Sequence, residues 1–116
     1  MEQFNRVEIH GVVGNIRITN FPDSSLANIS VATNYLYKVR DGQASVETTW
    51  FTVLARVGKA IEKPESLIKG NSVLVYGRLR TRTYTDSEGV EKLSYEVIAN
   101  KVEKLEGEAT PASASV

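Results

Sequence analysis

Apolar and polar positions alternate with a period of two over most of this chain, the pattern of half-buried strands rather than helices. The alternation begins at Val7 and Ile9, separated by Glu8. Gly11 and Gly14 interrupt it, and a second short strand is expected around Ile16–Ile18. Glycines inside a strand mark bulges or close backbone approaches, and bends of that kind let a sheet curl into a small barrel. Turn chemistry comes next, in NFPDSS at 20–25. Residues 27–39 predict a long strand whose one face carries Ile29, Val31 and Thr33, then Tyr35, Tyr37 and Val39. That face is apolar early and aromatic late, so the strand is expected to leave the core and carry its rings outward. Asp41-Gly42 predicts a hairpin.

The return strand at 46–57 places Phe51, Val53, Ala55 and Val57 on a core side and Trp50, with Thr48, Thr52, Leu54 and Arg56, on a less buried side. GKAIEKPESLIKG at 58–70 is the only plausible helical stretch. Pro64 lacks an N–H and cannot sit inside a helix. The expectation is a turn or short helix before it and a second short helix after it, with Pro64 near N1 and Gly70 at C′. A fourth strand at 72–84, a loose hairpin tip at Asp86–Gly89 and a last strand at 93–105 complete the pattern. EGEATPASASV at 106–116 is small and polar, and is expected to be a disordered tail after a single domain at 1–105. Five strands in meander-like order, with one helical segment between the third and fourth, are the element order of an all-β OB-fold, a five-stranded Greek-key barrel.

The fourth strand carries the chemistry. In VLVYGRLRTRTYT at 73–85, Leu74, Tyr76, Arg78, Arg80, Arg82 and Tyr84 share one face. Three guanidinium groups in a row, with a ring at either end, suit a groove that tracks the backbone of a single-stranded nucleic acid and stacks its bases. A solvated face whose arginines pair with acidic neighbours fits the same stretch equally well.

Composition narrows the classes. The 14 Lys+Arg balance 14 Asp+Glu, which argues against duplex DNA bound through bulk charge, although residues 1–105 carry 14 minus 12, or +2. There is no cysteine, so disulfides, thiolate metal sites and a cysteine nucleophile are excluded. No apolar run approaches the roughly 18 residues of a membrane span, and MEQFNRVEIHG is not a secretory signal; a cytoplasmic protein is expected. His10 is the single histidine, too few for a zinc site, and is expected to pack or lie at an interface. Neither GxGxxG nor GxxxxGKS/T occurs, and no carboxylate pair recommends itself for acid–base work, since the acids fall mainly in turns and on exposed strand faces. An enzyme is not expected, nor is a cofactor.

Taken end to end, residues 5–105 resemble a bacterial-type single-stranded DNA-binding protein. The resemblance runs through NRVEIHGVVGN, LANISVATN, TTWFTV and, most specifically, LIKGNSVLVYGRLRTRTYTDSEG. It implies aromatic stacking platforms at Tyr37, Trp50 and Tyr84; a fourth has no aromatic counterpart, its place falling on Arg56 or Val57, of which Arg56 can stack through its guanidinium plane. It implies phosphate-side cations at Arg80, Arg82, Lys59 and Lys69, joined by position or face by Arg6, Arg17, Lys38 and Arg78. It further implies sequence-tolerant wrapping of single-stranded DNA in replication, recombination or repair, and a homotetramer dimerising through the first strand. Glu8 and His10 stand where such proteins are often apolar, so the assembly could differ or respond to pH. The family's long tail with an acidic tip has no match in ATPASASV, which fits either a truncated chain or a short-tailed member, so tip-mediated partners are not expected from this sequence. A dimeric adaptor like primosomal replication protein B, or an OB module that binds only protein, are the competing readings.

Overall fold

The computed structural model describes residues 2–39 and 41–105; the tail expected at 106–116 lies outside the described residues. Five strands, β1 (Val7–Asn20), β2 (Ser25–Lys38), β3 (Ala44–Arg56), β4 (Ser72–Thr85) and β5 (Glu91–Lys104), close into a barrel in the order β1-β2-β3-β5-β4. All neighbours are antiparallel except β3 and β5, which meet in parallel at Val53↔Val97 and Leu54↔Ile98. This is the expected OB-type barrel.

β1 closes the barrel by serving two neighbours. Residues 7–12 pair with β4 and residues 12–20 with β2. The two short strands expected here are one strand with a bulge, because the register with β2 shifts between Val13 and Asn15. The extra residue, Gly14, exchanges the faces of the remaining strand: Ile9 and Val13 point inward before it, Ile16 and Ile18 share the inward register of Ile29 and Ala27 after it. Alternation therefore restarts rather than stops. A second bulge lies in β5, where Tyr76 faces Lys101 but Gly77 faces Ala99, leaving Asn100 over. A Cβ at Gly77 would run into the Ile98 carbonyl and the Ala99 Cα, so the close approach of β4 to β5 requires glycine there.

The core is aliphatic and mostly β-branched. Ile29, Val31, Val53, Val73, Val75, Val97 and Val13 are fully buried, each from the inward face of its strand. The connection between β3 and β4 is less helical than expected. Its only helical piece is a 3-10 turn at Pro64–Ser66, with Pro64 at the first helical position and Leu67, not a left-handed glycine, at its C-cap. Gly70, with φ 96°, belongs instead to a separate turn. Ala60, Ile61 and Leu67 are buried all the same. Their apolar spacing reflects a loop that plugs one end of the barrel, which needs those side chains but not helical backbone.

Both hairpins extend past the barrel as arms. The Asp86–Gly89 tip is tight rather than loose: the Asp86 carboxylate accepts from the Glu88 and Val90 backbone N–H groups at 2.9 and 3.0 Å, and Gly89 takes φ 81°. These backbone bonds, the one from Val90 foremost, hold the Asp86 carboxyl below its ordinary range.

Candidate nucleic-acid interface

The register places one continuous row across all five strands on the outside of the barrel: Arg17, Asn28, Leu54, Ile98 and Arg78. Arginine stands at each end and apolar side chains in the middle. Beside this row lies an open groove of about 430 Å³, lined by Leu26, Leu54 and Ile98 on its apolar floor and by Arg56, Lys59, Arg78 and Arg80 around it. Four cations over an aliphatic floor offer counter-charge for phosphates and apolar area for bases or sugars at one site. Arg56 shares its strand face with Trp50 and reaches the groove because it pairs with Leu26. Lys59 is brought there by the turn after β3, in which the Lys59 and Ala60 N–H groups donate to the Arg56 carbonyl at 3.2 and 2.9 Å.

Trp50 stands on the outer face of β3, opposite Ala32, and is 61% exposed. Its ring reaches across β2 to Gly14, where an added Cβ would lie 2.5 Å from Cζ3 and 2.7 Å from Cη2. One side of the indole is thus backed by the sheet and the other is open. Ala32, opposite Trp50, is 9% exposed although it faces outward. The Gly70 N–H donates to the Val13 carbonyl at 2.8 Å and the Val13 N–H to the Asn71 carbonyl at 2.9 Å, which carries Lys69 alongside the same bulge.

The β4 arm carries Arg78, Arg80, Arg82 and Tyr84 on the outer face, as the alternation predicts. The row is not three free charges. Glu96 of β5 lies directly opposite Arg80 and is 5% exposed. Arg80 Nη2 donates to its Oε1 at 2.8 Å, and Arg82 Nε to its Oε2 at 3.2 Å. The Arg80 bond above all, with the field of Arg82, holds the Glu96 carboxyl below its ordinary value against the burial that raises it. Glu96 is the exception, among the described residues, to the expectation that the acids lie mainly in turns and on exposed faces. The two readings of the arginine face are also not exclusive, because both arginine side chains stay about half exposed, 43% for Arg80 and 57% for Arg82, beyond their acidic neighbour. Arg78 forms no ion pair among the described residues. Lys92, opposite Tyr84, adds a cation that only the hairpin register reveals.

Three candidates fall elsewhere. Tyr37 is exposed, but the pairing Tyr37↔Ser45 puts it on the opposite face of the β2–β3 arm from Trp50, so rings and charges do not form a single track. Lys38, paired with Ala44, is on the Trp50 side at the far end of that arm. Arg6 precedes β1, its guanidinium 5.5 Å above the Phe4 ring. Neighbouring Asn5 fastens this segment: its amide donates to the Leu79 carbonyl at 2.7 Å and accepts from the Leu79 N–H at 2.9 Å, imitating a strand pair.

A model of the single-strand binding protein family matches residues 4–105. The chain belongs to that family. Curated relatives include single-stranded DNA-binding proteins of Xanthomonas axonopodis pv. citri, 38% identical over 106 residues, and of Xanthomonas campestris pv. campestris, 37% identical over 106 residues. In each case 89% of this chain is aligned, but only 58% and 61% of the relative, so the chain spans about three-fifths of their length. Among solved structures, a Plasmodium falciparum SSB in complex with ssDNA superposes with a TM-score of 0.75 at 23% identity, covering 91% of this chain and 98% of that one. A Thermus aquaticus single-stranded DNA-binding protein superposes with a TM-score of 0.71 at 22% identity, covering 90% of this chain and 52% of that one. At those identities the superpositions speak for the fold.

Proposed function

We propose that this single-strand binding family member holds single-stranded DNA without regard to sequence, across the groove between β3, β5 and β4 and along the arms that flank it. The observation that carries the reading is the convergence of Arg56, Lys59, Arg78 and Arg80 on an apolar floor, with the open side of Trp50 further along the same face. Each stacked base contributes roughly 1–3 kcal/mol and every base has a π face, so affinity is spread along the strand and sequence matters little. Phosphate neutralisation supplies the rest and weakens with salt. Arg80 and Arg82, held by Glu96, act as pre-oriented donors; Arg17, Lys38, Lys69 and Tyr84 extend the path, and Tyr37 and Arg6 lie off its main line.

Binding is the whole of the activity: no bond is made or broken. Self-association through β1 completes the particle as a homotetramer, and the protein works on exposed strands in replication, recombination or repair in the cytoplasm. Fluorescence anisotropy of labelled oligo-dT and of a duplex of equal length tests it. Tight binding of the single strand, weakened by added salt and exceeding that of the duplex, is expected. Equal binding of both overturns the single-strand reading, and binding of neither at low salt overturns it in favour of a protein-binding OB module.

A further inference from the structure

The β2–β3 arm bears a second aromatic feature, on the side away from Trp50. Tyr35 and Tyr37 are 67% and 42% exposed, with ring centroids 6.4 Å apart and planes inclined by only 24°. Bases along a strand stack about 3.4 Å apart, so two parallel rings that hold a base between them stand about 6.8 Å apart. The 6.4 Å is a centroid-to-centroid distance; it is close to that value, and side-chain rotation that brings the two rings face to face at it admits one base between them. We infer that Tyr35 and Tyr37 together form a slot that takes one unpaired nucleobase between their rings. The inference rests on the single-strand binding proposed above, and it gives Tyr35 a role in it.

The surroundings favour a base over a protein partner. On the same face the register places Thr33 in β2 and Ser45, Glu47 and Thr49 in β3, and beyond Tyr37 the exposed Val39; one aliphatic side chain among these polar groups does not extend the rings into a continuous apolar patch of the kind that docks protein. Glu47, directly opposite Tyr35, is the one charged residue of β2 and β3 on that face. A carboxylate repels phosphate, so the slot takes the flat base while the phosphates run outside it. Lys38, next in sequence to Tyr37 but on the other face, stands beside the route by which a strand leaves the slot for Trp50. The bound strand therefore passes around the edge of the arm.

Binding of labelled oligo-dT at low salt, measured by anisotropy for Tyr35→Ala, Tyr37→Ala, the double variant and Tyr35→Phe, tests the slot. Both rings are exposed, so the variants keep the wild-type melting temperature and Trp50 emission. Each alanine variant is expected to lose affinity by about 5- to 160-fold, the range for one stacked base. Because the two rings hold the same base, the double variant loses little beyond the weaker single one, and Tyr35→Phe binds as the wild type does. Wild-type affinity in Tyr35→Ala overturns the slot, as do losses that multiply in the double variant, which mark two independent platforms. A wild-type protein that fails to bind oligo-dT removes the underlying function instead. A mass that rises with concentration and falls in Tyr35→Ala assigns the rings to self-association and also overturns it.

Discussion

The benzo ring of Trp50 occupies the space that a side chain at Gly14 would fill. The contact spans β2, and it sets how the indole lies on the sheet. Gly14→Ala places a methyl group 2.5 Å from Cζ3, a distance that forces the ring to lift. The expected result is a shift in Trp50 emission and greater access to a soluble quencher in the free protein, with a stability cost below about 1 kcal/mol because the atoms displaced are the outer end of an exposed side chain. In DNA binding, Gly14→Ala and Trp50→Ala should be strongly non-additive, because the first acts through the second. Simple addition of their effects in a double-variant cycle contradicts the contact's role.

Glu96 makes stability depend on pH in a defined window. Its folded-state pKa is depressed below the ordinary value of 4.5, so its contribution is complete above about pH 4.5 and is lost as the pH falls through the folded value. Thermal melts of the wild type should show this acid loss, and Glu96→Gln should flatten it. At neutral pH, Glu96→Gln should cost about 1–2 kcal/mol, in the lower part of the range for charge-assisted bonds because both arginines are partly solvated. An unchanged acid slope in Glu96→Gln shows that another group controls it.

Arg78 and Arg82 should differ as phosphate contacts. Arg78 has no carboxylate partner among the described residues, whereas Arg82 shares Glu96 with Arg80. Arg78→Ala should reduce the steepness of log affinity against log salt by about 0.7, one single-strand phosphate contact. Arg82→Ala should reduce it by less, since its removal leaves Glu96 for Arg80. A larger change for Arg82→Ala reverses the assignment.

Assembly gives a further test. A homotetramer has a mass of about 51 kDa, four times the 12.8 kDa chain. Light scattering at that mass is the expected result, and a stable particle of twice the chain mass favours the dimeric adaptor instead.

Strand number, order and most inward positions were legible because a period of two survives wherever one face is buried, as at Ile29, Val31, Val53 and Val75. The exposed Trp50 and the arginine face followed from the same alternation. The features that could not be read depend on which strand lies beside which. Glu96 looks like any outward acid until β5 is set in register with β4, when it falls opposite Arg80. Tyr37 and Trp50 separate onto two faces only when β2 is paired with β3. The bulge at Gly14 was signalled by its glycine, but its purpose was not, since the Trp50 ring reaches it across an intervening strand. The connection containing Pro64 misled because Ala60, Ile61 and Leu67 are buried from turns, and burial without regular backbone leaves no period to detect.

The central claim is that an unpaired strand lies on the open side of Trp50 and on the cations beside it. Titration of Trp50 fluorescence with oligo-dT at low and high salt tests this most directly, since Trp50 is the only tryptophan in the chain. The account predicts saturable quenching at low salt, with a midpoint that moves to higher DNA concentration as salt is added. Fluorescence that stays constant at low salt, while anisotropy shows the DNA to be bound, places the strand elsewhere on the molecule and contradicts it.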